Sequence, residues 1–163
     1  MHDTHIQPTT GSLIGRGAVA GVIAGLVFAA FEMVASAVMM GADAFFMPLR
    51  MIGAIVLGAG ALDPGYSLLA AGFAGVVVHV ALSIVYGIIF AAAISRWRRG
   101  DASTVLLATV YGIALWLVNF YAIAPIAFPW FLESNPVVQF IAHAFFFGTV
   151  LGLVVAQRSR AYT

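Results

Sequence analysis

Four long apolar segments dominate this chain, and they restrict it to one class of fold. They cover residues 15–40, 66–95, 102–124 and 136–157, and each exceeds the roughly 20 apolar residues that a helix needs to cross a bilayer. Inside lipid only helices and closed barrels satisfy their own backbone hydrogen bonds, and apolar runs of this length are typical of helices. The sequence therefore predicts an all-α integral membrane protein. Its single domain, residues 1–163, would be an antiparallel bundle of four transmembrane helices.

The composition supports this class and excludes several functions. Hydrophobic residues make up 63% of the chain and charged residues 8%, whereas a soluble domain carries about 25% charged residues. The chain has no cysteine, which excludes disulfides, thiolate metal sites and a cysteine nucleophile. A net charge of +1 and the lack of any recognisable nucleic-acid module argue against a nucleic-acid partner. The partner that the composition predicts is the lipid bilayer.

Residues 48–62 form a fifth apolar segment, which is too short to cross a bilayer unaided. Pro48 suits the first turn of a helix, where its missing N–H costs no hydrogen bond. Asp63, Pro64 and Gly65 favour a turn after it. We expect a short helix here that is either interfacial or re-entrant.

The arginines predict the orientation, because positive residues are retained on the cytoplasmic side. With the N-terminus inside, Arg50 alone lies outside, and the cytoplasmic side receives Arg16, Arg96, Arg98, Arg99, Arg158 and Arg160. The sequence thus predicts a multi-pass protein with both termini in the cytoplasm.

Each of the four long segments carries one polar residue that is costly to place in lipid: Glu32, His79, Asn119 and His143. At a rise of 1.5 Å per residue, all four lie roughly 21–26 Å from the presumed cytoplasmic ends of their helices. They therefore form a layer at one depth. Because a polar side chain facing lipid is unfavourable, we expect all four to point into the bundle.

Small and polar residues at three- and four-residue spacing extend the face of each polar residue along its helix. Ser36, Ser83, Tyr86 and Gln139 fall on these faces and are candidate neighbours of the layer. Glycines recur every fourth residue at 17, 21 and 25 and at 148 and 152. Such spacing predicts close helix contacts in the first and fourth segments. The short basic turn at residues 95–102 (SRWRRGDA) is consistent with the second and third helices packing as an antiparallel pair.

Several chemistries remain open for the layer. It can be a structural hydrogen-bond network that locks the helices together. Glu32, His79 and His143 also suit a zinc or iron site, with Asn119 or water completing the shell. His79 and His143 alone could ligate a b-type haem. Finally, Glu32 and the two histidines could titrate along a path for protons or small solutes.

Hydrolytic catalysis has little support in the sequence. Ser83 lies one helical turn after His79, but neither a positioned acid nor an oxyanion loop accompanies the pair. We therefore predict no catalytic residues and favour a protein that is not an enzyme.

Three stretches in the second half resemble a known family. They are residues 79–87 (HVALSIVYG), residues 128–130 (FPW) and residues 140–148 (FIAHAFFFG). Over residues 70–155 the chain resembles the YagU-like family of small bacterial inner-membrane proteins and related uncharacterised four-span families. The resemblance implies a bacterial inner membrane and no established enzyme activity. It adds interest to His79 and His143 without assigning them a role.

The sequence as a whole favours a small polytopic inner-membrane protein that acts as a structural or accessory component. It would work as a homo-oligomer or as a subunit of a larger membrane complex. The metal- or haem-binding redox or transport subunit and the proton or small-solute path are the alternatives. No cofactor is required by the leading interpretation.

Overall fold

The computed structural model describes residues 10–95 and 100–160. It is about 90% helical, and those described residues include no strand. Four helices are long and apolar enough to cross a membrane, and we call them the first to fourth spans: Leu13–Met40, Leu68–Ile94, Asp101–Ala127 and Pro136–Gln157. The predicted all-α architecture with four spans is confirmed, and the observed bounds differ from the predicted ones by a few residues.

Two of the spans have N-cap residues, Ser67 and Asn135, whose side chains bond to the first turn. Ser67 Oγ accepts a hydrogen bond from the Ala70 amide at 3.3 Å at the start of the second span. Asn135 Oδ1 accepts from the amides of Val137 and Val138, at 3.0 and 3.2 Å, at the start of the fourth. These caps satisfy amide groups that have no partner within the first turn of a helix.

The short helix runs from Met47 to Leu57 and is followed by a 3₁₀ turn, Ala59–Leu62. It is thus shorter than the predicted range 48–62, because Gly58 adopts a φ of +84°, a conformation that ends an α-helix and that glycine accepts at low cost. The buried residues of this short helix are Leu49, Gly53 and Ala54. It packs chiefly on the second span.

Close glycine contacts hold the first span against the second, as predicted. A Cβ on Gly17 would lie 2.7 Å from Ile88 Cα, and one on Gly21 would collide with the carbonyl oxygen of Ser83. The same holds for the third and fourth spans, where a Cβ on Gly152 would lie 2.7 Å from Val105 Cα. Within a bilayer such close approach is a main source of helix association.

The pairing of the spans differs from one expectation. The short basic turn at 95–102 is consistent with an antiparallel pair of the second and third spans. Instead the second span packs chiefly on the first, the third on the fourth, and the first on the fourth. Bulky aromatic side chains separate the second span from the third, with the rings of Phe90 and Tyr111 5.4 Å apart.

The bundle has two unlike ends. We call the end that carries residues 41–67 and 128–135 the loop end, and the opposite end the terminal end. A tightly packed apolar cluster fills the terminal half: Ala20, Ala24, Phe90, Ala108, Phe147, Leu151 and Val155. Arg96, Arg98 and Arg99, on which much of the predicted orientation depends, lie outside the described residues.

Gly21→Ala tests the close contact between the first and second spans. The added Cβ meets the backbone of Ser83, so we expect a loss of about 1–3 kcal/mol, as is typical of overpacking. Gly72→Ala is the matched control, because a Cβ at Gly72 meets nothing within 4 Å. Both changes add the same helix propensity, worth up to about 1 kcal/mol. Thermal unfolding in mild detergent should show a lower midpoint for Gly21→Ala alone, and equal midpoints would contradict the packing described here.

Candidate functional site

A cavity of about 560 Å³ occupies the loop half of the bundle. All four spans, the short helix and residues 128–135 contribute to its wall. The four polar residues of the predicted layer line this one space: Glu32, His79, Asn119 and His143. The structure therefore brings them to a common cavity, although none of the four forms a hydrogen bond with another of the four.

The second span uses its glycines for close contacts with two partners. At the terminal end, Gly87 lies against the backbone of Gly17 and Gly21 in the first span. At the loop end, Gly75 lies against the backbone of Leu49 in the short helix. The second span thus packs closely on the first span at the terminal end and on the short helix at the loop end, and both of these partners line the cavity.

Glu32 projects from the first span and is only 7% exposed. Its Oε2 accepts a hydrogen bond of 2.7 Å from Gln139 Nε2 of the fourth span. Its Oε1 is buried and has no hydrogen-bond partner among the residues that the structure describes. A buried polar atom without a partner is uncommon and calls for an explanation.

Backbone carbonyls fix one ring nitrogen of each histidine. His79 Nε2 lies 2.8 Å from the Gly25 carbonyl, and His143 Nδ1 lies 2.8 Å from the Gln139 carbonyl. A carbonyl oxygen only accepts, so both of these nitrogens carry a proton. In a neutral ring the other nitrogens, Nδ1 of His79 and Nε2 of His143, are therefore acceptors.

Two of the four polar residues lie on π-helical segments, which the sequence analysis missed. Asn119 lies within Val118–Ile123, and His143 lies within Ala142–Thr149. Such wide turns are rare in proteins, and those that occur are often found at functional sites. In the third span Pro125 is the signal that could have indicated one, because a proline in a helix clashes with the carbonyl four residues before it.

The candidate neighbours fall into two groups. Gln139 and Tyr86 bond to side chains of the layer, with the Tyr86 hydroxyl donating to Asn119 Oδ1 at 3.2 Å. Ser83 Oγ donates instead to the His79 carbonyl at 2.7 Å, and Ser36 Oγ donates to the Ala44 carbonyl at 2.8 Å. Each of these four side chains also lines the cavity.

Aromatic rings surround the histidines. The centroid of the Phe28 ring lies 5.6 Å from that of His79 and 4.9 Å from that of His143. Phe120 approaches His143 from another side, at 5.6 Å. The two imidazoles are thus packed among apolar rings that also line the cavity.

This packing bears on the metal and haem hypotheses. Within residues 10–95 and 100–160, no three histidine, aspartate or glutamate side chains are grouped so that they could hold a metal ion. The set Glu32, His79 and His143 is therefore not assembled as a metal site in this conformation. Phe28 contacts both imidazoles, so a haem ligated by the two histidines would have to displace its ring.

Methionines form a second feature of the wall that the sequence analysis missed. Five of the six methionines of the chain line the cavity: Met33, Met39, Met40, Met47 and Met51. Their flexible thioether side chains adapt to irregular shapes and are common at surfaces that accept varied ligands. The clustering of these residues between positions 33 and 51 is the signal that could have found them.

The segment after the third span closes over the loop end. Trp130 Nε1 donates a hydrogen bond of 3.0 Å to the Met51 carbonyl of the short helix. Phe128, Trp130 and Phe131 all line the cavity. This part of the cavity wall therefore contains three aromatic side chains, and Trp130 joins it to the short helix.

Comparison with known proteins identifies no relative. The chain matches no protein-family model, no curated protein and no solved structure with which it was compared.

Gln139→Leu tests whether the bond to Glu32 stabilises the bundle. Removing the amide leaves a buried carboxyl group without a side-chain donor, so we expect a loss of about 1–3 kcal/mol. Gln157→Leu makes the same chemical change at an exposed position and should leave stability within about 0.5 kcal/mol. Thermal unfolding of both variants in detergent measures the difference. A wild-type midpoint for Gln139→Leu would show that the bond contributes little.

Proposed function

We propose that this protein is a non-enzymatic membrane component that binds a small, largely apolar molecule in the cavity of its loop half. The observation that carries the proposal is the cavity itself. Its volume of about 560 Å³ lies within the roughly 300–1,000 Å³ typical of small-molecule pockets. Its wall is mostly apolar with a few convergent polar groups, which is the usual composition of such a site.

The arrangement of the polar layer favours binding over a purely structural network. A network that only locks helices together needs side chains that bond across the helix interfaces and leave no space between them. Two of the layer's hydrogen bonds join side chains of different spans, Glu32 to Gln139 and Tyr86 to Asn119. The histidines instead bond to backbone carbonyls, and all four polar residues border the same open space.

The extent of the cavity favours binding over a path through the bundle. Its lining includes no residue of 10–27, 87–95, 100–114 or 148–160 among the residues described. These ranges contain most of the packed cluster of the terminal half, in which Leu151 is fully buried. A path for protons or small solutes would have to continue through that cluster.

We further propose that the protein lies in a bacterial inner membrane with both termini in the cytoplasm. The distribution of the arginines supports this orientation, and the resemblance to the YagU-like family supports the membrane. The loop end would then face outward, so the cavity would open in the outer half of the bilayer. Within the membrane the protein would be an accessory component, as a homo-oligomer or as a subunit of a larger complex.

Single cysteines test the orientation without background labelling, because the chain has no cysteine. We expect Gly60→Cys at the loop end to react in intact cells with a maleimide that cannot cross membranes. Ala102→Cys at the terminal end should react only after the cells are permeabilised. Both positions are exposed. The reverse pattern would place the termini outside.

Ala29→Phe tests the binding function by filling the cavity. Ala29 lines it, whereas its neighbour Ala30 is exposed and does not, so Ala30→Phe is a matched control. After purification in mild detergent, the molecules bound to each protein are extracted and measured by mass spectrometry. We expect wild type and Ala30→Phe to retain the same molecule at near one-to-one stoichiometry and Ala29→Phe to lose most of it. Equal retention in all three proteins, or none in wild type, would contradict the proposal.

A further inference from the structure

We infer that the bound molecule is a lipophilic cation, with a protonated amine as its head and an apolar body. This inference rests on the proposed binding function and names the chemical class of its ligand. Four features of the cavity wall carry it: its charge, its hydrogen-bonding groups, its aromatic rings and its apolar remainder.

The charged residues of the wall are both acidic. Among the described residues that line the cavity, Glu32 lies at the polar layer and Glu133 at the loop end, and no arginine lines it. The chain has no lysine. Arg50, the nearest arginine in sequence to the loop end of the first span, bonds instead to the carbonyls of Asp63 and Tyr66, at 3.0 and 2.6 Å. The cavity therefore complements a positive charge and repels a negative one.

Glu32 has a specific need for a donor. Oε2 is bonded to Gln139, while Oε1 has no partner within the part of the chain that the structure describes. Carboxylates buried in a membrane protein are costly unless they pair with a cation or a hydrogen-bond donor. An ammonium group bound beside the carboxylate would supply both at once, and a shift of the Glu32 side chain would bring the buried Oε1 to it.

The histidines add acceptors around the same space. Since backbone carbonyls hold the protonated nitrogen of each ring, His79 Nδ1 and His143 Nε2 are acceptors when the rings are neutral. Together with Glu32 Oε1 they give the polar layer three acceptor atoms. The ring N–H groups of both histidines are already bonded to carbonyls, and Asn119 adds the donor groups of its side-chain amide. A primary ammonium group has three donors and no acceptor, and therefore matches the excess of acceptors.

Aromatic rings favour a cation over a neutral donor. Phe28, Phe120 and Phe147 line the cavity beside the polar layer, with the Phe28 and Phe147 ring centroids 6.5 Å apart. A cation within about 6 Å of a ring centroid is attracted by the ring quadrupole, and the attraction strengthens where water is excluded. The methionines and the short helix then accommodate the apolar body of the ligand.

Three probes with one apolar body and different heads test the inference: 4-phenylbutylamine, 4-phenylbutanol and 4-phenylbutyrate. Binding to the full-length protein in nanodiscs is measured by titration calorimetry at neutral pH, with empty nanodiscs as the blank. We expect the amine to bind at least about tenfold more tightly than the alcohol, which corresponds to about 1.4 kcal/mol. The carboxylate should show no saturable binding.

Glu32→Gln then identifies the group that recognises the charge. Removing one partner of a buried charge pair should weaken amine binding about thirtyfold or more and leave alcohol binding nearly unchanged. Glu133→Gln is the matched control at an exposed position, where an ion pair is worth little, so the expected loss is no more than about fivefold. If Glu32→Gln does not fold, the order of the three probes on the wild-type protein still decides the question.

The experiments distinguish a failure of the cationic ligand class from a failure of the proposed binding function. Equal binding of the alcohol and the amine, or tighter binding of the carboxylate, would overturn the cationic class and leave a binding cavity. No binding of any probe would also overturn it. The proposed binding function is contradicted by a different measurement, the mass spectrometry of extracted molecules. It fails if wild type carries no bound molecule, or if Ala29→Phe retains as much of it as wild type.

Discussion

The structure depends on close contacts between small residues of neighbouring helices. In a bilayer, apolar side chains gain little by leaving lipid for another helix, so close backbone approach decides which helices touch. The second span has glycines near both of its ends, and two different elements pack closely on them. The first span takes Gly87 at the terminal end, and the short helix takes Gly75 at the loop end. Both of these partners of the second span also line the cavity.

The polar layer follows from the same arrangement. Gly25 has no side chain, so the first span approaches the second closely enough for its carbonyl to accept the His79 ring proton at 2.8 Å. On the fourth span, Gln139 serves two neighbours, since its carbonyl accepts from His143 and its amide donates to Glu32. Bonds to backbone carbonyls and to the Gln139 amide thus hold these side chains of the layer in place. The buried atom of the layer that has no partner among the described residues is Oε1 of Glu32, the acidic residue of the layer.

The parts of this structure that depend on helical periodicity could be predicted from the sequence. The four spans, the contact faces of Gly17, Gly21 and Gly25, and the burial of Glu32 and His143 all follow from spacing and from the cost of polar groups in lipid. What could not be predicted depends on which helix lies beside which. The sequence suggested a pair of the second and third spans, and it suggested that His79 was free to bind a metal or haem. Neither the aromatic residues between those spans nor the approach of the Gly25 carbonyl can be read from one helix at a time.

The two parts of the cavity differ in rigidity, and this bears on selectivity. At the polar layer, hydrogen bonds fix both histidines and Glu32, and Phe28 packs against both imidazoles. A site held in this way discriminates strongly between head groups, because a mismatched group leaves buried polar atoms unpaired. Toward the loop end five methionines contribute to the wall, and their side chains repack at low cost. The proposed binding function therefore implies selection of the ligand's head and tolerance of variation in its body, which suits a binder of a chemical class better than a binder of a single compound.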